Sequence, residues 1–557
     1  MKVQLITQPD GVRTLYYPQH AGPPLPGSRS VRQRGVNTID ATPLGAFGVW
    51  ALAEAMHWEL PQEVRALAAC YPQQIDHPGD SWWPRIDKTG IRFVRPPWAK
   101  QLEGMAWLVH KYAALLEWEM SCGKTMVAIN ACVLWNARRV ITVCPQTVLG
   151  VWQREIPLSS IDPWDVHILS SDHSVKKRMR LLSDWFLNQS DRKWLVTNYE
   201  LLRTSPVLRE LIAHKWDVAI LDESHRAKSP TGVTSKAAYE LGRRSTRRLC
   251  LSGTAAPNSP LDYFGQYRFL EPGVFGQYVT PFKARYCKLN PVIRNKIDGW
   301  INQEELAQKL SEYRHALTLA EMPEIQLQPM REIIIPLYFS SAMLSKYKQL
   351  EKEFIADFGP VDDVLENKIV AGNALTRLLR LQQLTGGWAV TDDRREVQVH
   401  RIKEQTLRDI LEDLPPTEPI VVFAQFTNDL LTIRRVALEM KRTHGEISSR
   451  AHDITPDGRM PPNISVLGVQ WQAGSLGIDL TRAHYAFIYS STFNAGDFDQ
   501  GLRRLHRHGQ QHSVTVYRPM IQHTVDYAIM RNVQKKSKVI KELFSTLDLT
   551  DVKSSVG

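Results

Sequence analysis

The sequence predicts an α/β fold built on doubly wound parallel sheets, and three observations predict it. Gly123-Lys124-Thr125 stands between two apolar runs, Tyr112–Leu116 and Met126–Ile129, which reads as strand, tight loop and helix. The strands that follow are near-continuous apolar segments, the pattern of a parallel sheet covered on both faces. The same alternation of strand and helix returns near residue 400, after a more helical stretch.

Size and composition bound the problem. At 557 residues the chain is too long for one core, and about three units are expected. Hydrophobic residues are 43% and charged residues 23%, a globular balance that excludes a disordered chain. The net charge of +11 is compatible with nucleic acid or another anionic surface. Basic proteins without such a partner are also common. The six cysteines (Cys70, Cys122, Cys132, Cys144, Cys250 and Cys287) contain no C-x-x-C pair. That argues against a zinc site or a disulfide framework and for a reducing compartment. Met1-Lys2-Val3-Gln4-Leu5 has no signal-peptide core, and no apolar run approaches membrane-spanning length. The expectation is a soluble intracellular protein with no membrane partner.

Residues 1–90 differ from the rest. They hold a turn cluster at Gly22–Gly27, a basic patch at Arg29–Arg34, helical stretches near 43–56 and 61–69, and Ser81-Trp82-Trp83-Pro84. This reads as a small accessory domain with a linker near residue 90. Its arginines fit a solvated face or a DNA-contacting module.

The first α/β region opens on the Gly-Lys-Thr loop. Phosphate binding asks for backbone N–H groups at a helix N-terminus, a glycine where the chain bends close, a lysine for the β/γ-phosphates and a hydroxyl for Mg²⁺. Gly123, Lys124 and Thr125 fit those roles in order, although Trp118 stands where the first glycine of the full pattern would be. An ordinary loop before a helix would also explain the three residues alone. Strands follow at Arg139–Cys144, Lys193–Thr197, Trp216–Leu221 and Arg248–Leu251, with a helix through Val151–Ile156. Polar residues cluster past the strand ends, where doubly wound sheets bind ligands. Asp222-Glu223 is the most telling pair. One carboxylate at a buried strand end holds Mg²⁺ through water, and its neighbour orients the attacking water. A helix N-cap followed by a first-turn acid is the bland alternative.

Residues 255 to about 400 are more helical. Leu261–Leu270 is aromatic-rich, which reads as core, and Lys368–Leu384 has helical spacing. Alternation resumes with strands at Pro419–Ala424, Ile464–Val469 and Tyr485–Tyr489. A helix is expected across Gln500–Gln510, on which Gln500, Arg504 and Arg507 recur at i, i+4, i+7 and share one face. Arginines so aligned neutralise phosphate charge in a transition state.

Together these pieces resemble the superfamily two helicase-type ATPases, and within them the Swi/Snf-like DNA translocases, over roughly residues 92–545. Gln101–Leu108 resembles the adenine-contacting glutamine motif and Glu119–Thr125 motif I. Val143–Ile156 is similar to the motif Ia region, and Thr197–Glu200 to the next element. Asp222-Glu223-Ser224-His225 resembles motif II, Leu251–Thr254 motif III and Val422–Thr427 motif IV. Gly474–Leu480 and Gln500–Gln510 are similar to motifs V and VI. Departures are Ser121 for a glycine, Ser224 for alanine, Asp479 for asparagine, Arg503 for aspartate, and a short second lobe between Lys441 and Ile464. Ser121 is compatible with the loop if its φ is negative. None of the departures removes a residue with a phosphate-chemistry role.

The resemblance implies two RecA-like lobes with ATP between them. The expected organisation is an accessory domain over 1–90 and an ATP-binding lobe over 91–330, with a helical insertion from about 255. A helical insertion or linker follows over 331–400, then a C-terminal lobe with a terminal helix over 401–557. Gln101 is expected to read adenine, and Ser121, Cys122, Gly123, Lys124 and Thr125 to hold the phosphates. Thr125 and Asp222 are expected to hold Mg²⁺, and Glu223 to position water. Arg504 and Arg507 are expected to act on the phosphates, with Gln500 linking nucleotide state to DNA. Gln146, Thr147, Asn198, Tyr199, Gln425 and Gly474 are the expected DNA contacts, along one phosphate backbone. The implied activity is ATP-driven movement on double-stranded or branched DNA by a monomer in the cytoplasm of a bacterium or of an infected host cell. Alternatives are a strand-separating DNA or RNA helicase and a non-catalytic DNA-binding scaffold.

Overall fold

The computed structural model describes residues 2–8, 12–19, 25, 28–31, 36–69, 93–291, 296–325, 327–358, 372–390, 395–455, 458–471 and 478–534. The chain divides into two compact units. Met1–Lys288 and Gly299–Glu324 fall in the first, and Ile325–Glu542 falls in the second.

The first unit begins with a small antiparallel sheet that the sequence pattern does not reveal. Strands β1 (Gln4–Thr7), β2 (Arg13–Pro18), β3 (Arg29–Val31) and β4 (Val36–Asp40) pair in the order β1-β2-β4-β3. Helices Pro43–Ala55 and Gln62–Ala68 share its core, in which Leu15, Tyr17, Ile39, Val49 and Trp58 are buried. Thr42 caps the first helix by accepting from the Gly45 N–H at 3.1 Å, and Pro43 suits the first turn. Thr42 also donates to the buried Glu271 at 3.0 Å, and Asp40 accepts from Tyr239 and Arg243. Residues 32–34 of the basic patch, the 81–84 cluster and the linker near residue 90 lie outside the described residues.

Seven strands then form one parallel sheet. They are β5 (Ala113–Trp118), β6 (Arg139–Cys144), β7 (Asp165–Leu169), β8 (Lys193–Asn198), β9 (Trp216–Asp222), β10 (Ser245–Ser252) and, after a hairpin of β11 (Cys287–Leu289) and β12 (Ile297–Trp300), β13 (Arg314–Leu317). The order is β13-β5-β10-β9-β6-β8-β7. All six pairings are parallel. Helices on both faces bury the strands, so β6 and β9 carry apolar side chains on both sides, as the near-continuous runs require. The aromatics of helix Asp262–Leu270 are core, with Tyr263, Phe264, Tyr267 and Phe269 fully buried.

The second unit carries a six-stranded parallel sheet. β14 (Met330–Leu337), β17 (Ile420–Ala424), β18 (His444–Ile447), β19 (Val466–Gln470), β20 (Tyr485–Ile488) and β21 (Val514–Ile521) run in the order β14-β21-β20-β17-β19-β18. A hairpin of β15 (Trp388–Val390) and β16 (Glu396–Gln398) lies outside that sheet. The expectation of a helical connector from residue 331 is corrected here. Ile333-Ile334-Ile335 is a β-branched run that pairs in register with β21, and helices begin only at Ser341. Phe423 and Trp471 stack at 4.5 Å in the core. Residues 525–534 are helical, and the chain beyond them lies outside the described residues. Among the described residues, no helix is long and apolar enough to cross a membrane.

Candidate functional site

The Gly-Lys-Thr loop hangs from the C-terminal end of β5. Trp118 is the last residue of that strand and fully buried, so the loop begins only after it. Gly123 caps helix Lys124–Leu134 at φ +81°, a left-handed conformation that favours glycine. A Cβ there would also meet Gln101 Nε2 at 2.2 Å. Ser121 is left-handed as well, at φ +72°. The condition of a negative φ is not met: the loop keeps its shape by holding a serine where glycine is the unstrained residue. Its hydroxyl is buried without a protein hydrogen-bond partner, which suits a donor meant for a phosphate oxygen. Lys124 Nζ folds back onto its own loop and donates to the carbonyls of Trp118 (2.7 Å) and Glu119 (3.1 Å). Thr125 follows in the first helical turn, beside the helix N-terminus that attracts anions.

Gln101 is 5% exposed and braces the loop from beneath. Its Oε1 accepts from Trp98 N (2.9 Å) and its Nε2 donates to Cys122 O (3.0 Å), so both ends of its amide are engaged within the protein. Cys122 itself is fully buried. Glu117, which the sequence reading did not single out, ties the base of the loop to three other segments. It accepts from Ala255 N, Tyr263 OH and Arg314 Nε. Its sequence signal is an acid near the end of an apolar run.

Asp222 and Glu223 stand at the end of β9, one strand removed from β5 across β10. Asp222 is buried. Its Oδ2 accepts from Trp152 Nε1 (2.8 Å), its Oδ1 from Glu223 N (2.9 Å), and its carbonyl from Tyr199 OH (2.8 Å). Burial, and then the neighbouring Glu223 charge, push its carboxyl above the usual carboxylate range, against the Trp152 N–H and the Lys124 charge. Glu223 takes a left-handed backbone (φ +50°), which turns the chain between the two carboxylates. Glu223 Oε2 lies 3.4 Å from His225 Nδ1, and that nitrogen lies 3.3 Å from Ser252 Oγ at the end of β10. Ser224 donates to Gln266 Oε1 at 2.6 Å.

Each Asp222 oxygen accepts one N–H and keeps a lone pair for a further donor. One buried carboxylate and one first-turn hydroxyl fit a hard divalent cation that retains water and shares phosphate oxygens. Among the described residues no group of three His, Cys, Asp or Glu side chains forms a metal cage.

The second unit holds its expected residues differently. The helix spans Ala495–Leu502 only, so the shared helix face for Gln500, Arg504 and Arg507 is corrected. Gln500 is buried on the helix, whereas both arginines lie in the turns beyond it. Three-residue turns begin there (Arg504 N to Gly501 O, Leu505 N to Leu502 O), and Gly509 is left-handed. Gln510 Nε2 then pins the segment by donating to the carbonyls of Thr481, Ala483 and Leu505. Arg504 is 8% exposed and Arg507 half-buried.

The expected DNA contacts divide. Thr147 is exposed, and Gln146 is half-buried in the 3-10 turn Gln146–Val148, where it bonds Ser170 and Asp172. Asn198 and Tyr199 are corrected as surface contacts. Asn198 is fully buried with its amide on Ser171 and Glu200, and Tyr199 is 2% exposed beneath Asp222. Gln425 N donates to Ser490 Oγ at 2.7 Å, and its Oε1 is buried. Gly474 lies outside the described residues.

Comparison with known proteins adds the following. The family model described as SNF2-related domain matches residues 100–385. The one described as Helicase conserved C-terminal domain matches residues 402–509. The chain is 22% identical over 468 residues to the DNA repair and recombination protein RDH54 of Saccharomyces cerevisiae, covering 78% of this chain and 49% of that protein. It is 25% identical over 513 residues to the mouse (Mus musculus) chromodomain-helicase-DNA-binding protein 1-like, covering 86% and 53%. It is 24% identical over 443 residues to the human (Homo sapiens) DNA annealing helicase and endonuclease ZRANB3, covering 76% and 38%. The chain thus spans about half the length, or less, of these relatives. The Sulfolobus solfataricus SWI2/SNF2 ATPase core in complex with dsDNA aligns at a TM-score of 0.36 and 19% identity, over 82% of this chain and 94% of that one.

Proposed function

The chain belongs to the SNF2-related family, and on that premise we propose that it hydrolyses ATP to move along duplex or branched DNA and to remodel DNA or the proteins on it. The observation that carries this reading is that Lys124, after β5, and Asp222, at the end of β9, lie at the same edge of the sheet with only β10 between their strands, close enough that the lysine charge acts on the Asp222 carboxyl. On binding nucleotide, Lys124 exchanges its loop carbonyls for the β/γ-phosphates, while the N–H groups of the first helical turn face the phosphate oxygens. Gln101 holds the loop through Cys122, and the second N–H and second lone pair of its amide are what it has left to read the base. Mg²⁺, when bound through Thr125 and Asp222, supplies neutralisation of phosphate charge. Glu223 orients the attacking water, and His225, beside both Glu223 and Ser252, ties that orientation to the end of β10. Arg504 and Arg507 carry the positive charge for the transferred phosphoryl group. The exposed Gln146–Val148 turn meets a phosphate backbone, a contact that carries little sequence information.

The test is ATP hydrolysis by the purified chain, titrated with double-stranded, single-stranded and forked DNA and with RNA at one salt concentration, since phosphate contacts are steeply salt-dependent. Stimulation by duplex or forked DNA above single strands is expected. Stimulation by single strands or RNA alone would replace the reading with a strand-separating helicase. Absence of hydrolysis under every condition would leave a DNA-binding scaffold.

A further inference from the structure

We propose that Trp152 is a positioning residue for Asp222, and that through this one N–H it sets how strongly the site prefers Mg²⁺-bound nucleotide over metal-free nucleotide. The inference rests on the nucleotide reading above. Trp152 is fully buried on helix Leu149–Ser159, which directly follows the Gln146–Val148 turn. Its indole N–H donates to Asp222 Oδ2 at 2.8 Å. Trp194 packs beside the ring (centroids 6.1 Å apart) and makes its own Nε1 bond to Thr142 Oγ1 at 2.9 Å, away from Asp222.

The chemistry of the donor matters. The Lys124 and Glu223 charges both act on Asp222. A cationic partner would compete with a metal ion for the carboxylate. A neutral indole N–H fixes the same oxygen without that competition. With Glu223 N on Oδ1 and Trp152 on Oδ2, the carboxylate plane is held at both oxygens, and the remaining lone pairs keep fixed directions. Mg²⁺ demands near-ideal octahedral directions from its ligands and their waters, so a carboxylate free to rotate binds it less well. A packing role alone would make Trp152 no different from Trp194, which is equally buried and makes an equivalent bond one step away.

The experiment compares W152F and W194F in the full chain. Affinity for a fluorescent ATP analogue is measured first in excess EDTA and then across a Mg²⁺ titration. W152F is expected to keep its EDTA affinity within about twofold while the Mg²⁺ midpoint rises about tenfold, the usual scale for a lost outer partner of a metal ligand. W194F is expected to keep the wild-type midpoint. W152H, which retains a ring N–H, is expected to move back toward wild type. A folded W152F with the wild-type midpoint, or a W194F shifted as far, overturns the inference. If W152F shows no cooperative melt, W152M takes its place as a large side chain without the donor. A wild-type chain whose nucleotide affinity ignores Mg²⁺ would instead overturn the nucleotide reading itself.

Discussion

In the first unit, Lys124, Asp222 and Glu223 stand where a parallel sheet delivers them, and each is already tied to a neighbour: Lys124 to two loop carbonyls, Asp222 to three donors, Glu223 beside His225. In the second unit, Arg504 and Arg507 stand past the end of helix Ala495–Leu502, in turns held from outside by Gln510. The first unit's proposed residues are positioned by strand ends, where backbone geometry leaves little freedom. The second unit's proposed residues are positioned by a short irregular segment. The difference teaches that loss of a first-unit residue should remove chemistry from a site that stays intact. Second-unit variants should instead test whether the turns present their charge.

The largest effect is expected at the first unit. Lys124→Ala and Glu223→Gln should each lower ATP turnover by about 10³–10⁴ while DNA binding is largely kept. Single-turnover hydrolysis beside a DNA gel-shift assay measures both, and normal turnover in either variant would refute the assignment. Arg507→Ala should lower turnover by about 10³, with nucleotide affinity near wild type, because a charge acting on the transferred phosphoryl adds little in the ground state. Equal loss of nucleotide affinity in this variant would erase the contrast between the two units.

A smaller effect is expected in the second unit's response to pH. Asp429, in the first turn of helix Thr427–Glu439, is 1% exposed, and its Oδ2 accepts from Ser490, whose hydroxyl in turn accepts from Gln425 N. Burial pushes its carboxyl up to about 7, against the Ser490 hydroxyl and the Lys403 charge; Asp526, which Lys403 pairs at 2.8 Å, adds to the rise. The folded value lies above the ordinary carboxyl value, so folding takes up a proton. The resulting stability is fully present below about pH 4 and is lost as pH rises through about 7. Asp429→Asn removes this dependence. The variant should gain on wild type by about 3 kcal/mol between pH 5 and 8. Urea melts of both chains at the two pH values decide it, and parallel pH profiles would show that Asp429 does not titrate in that window.

The same contrast governs what the sequence discloses. β5, β6, β8, β9 and β10 are legible because a strand buried on both faces must be apolar throughout, and the residue after its last apolar position falls at the ligand edge of the sheet. β14 escapes because most of its residues are exposed, so its pattern does not match a buried strand. The N-terminal sheet escapes because its strands are short and separated by turn-rich sequence. At the site, residue types and order are enough to gather Lys124, Asp222 and Glu223. They do not disclose that Tyr199 faces inward onto Asp222, because a tyrosine after a strand end fits surface and core alike. Nor does spacing alone show where a helix stops: i, i+4, i+7 describes Gln500, Arg504 and Arg507 only while the helix continues.

The smallest effect tests how rigidly the first unit's loop is held. Ser121 keeps φ +72° with its hydroxyl buried away from any protein partner, and Gly123, two residues on, is also left-handed. A side chain in that region costs about 1–2 kcal/mol, part of which glycine would return as a more disordered unfolded chain. Ser121→Gly should therefore stabilise the nucleotide-free protein by about 0.5–1 kcal/mol. Ser121→Ala keeps the Cβ and so the strain, and removes only the hydroxyl; it should gain less. Thermal melts of the three chains rank them. If Ser121→Ala matched Ser121→Gly, the buried hydroxyl and not the backbone would be the source of the strain. If Ser121→Gly were less stable than wild type, the serine would be bracing the loop, and the first unit's phosphate cradle would depend on a side chain as much as the second unit's turns depend on Gln510.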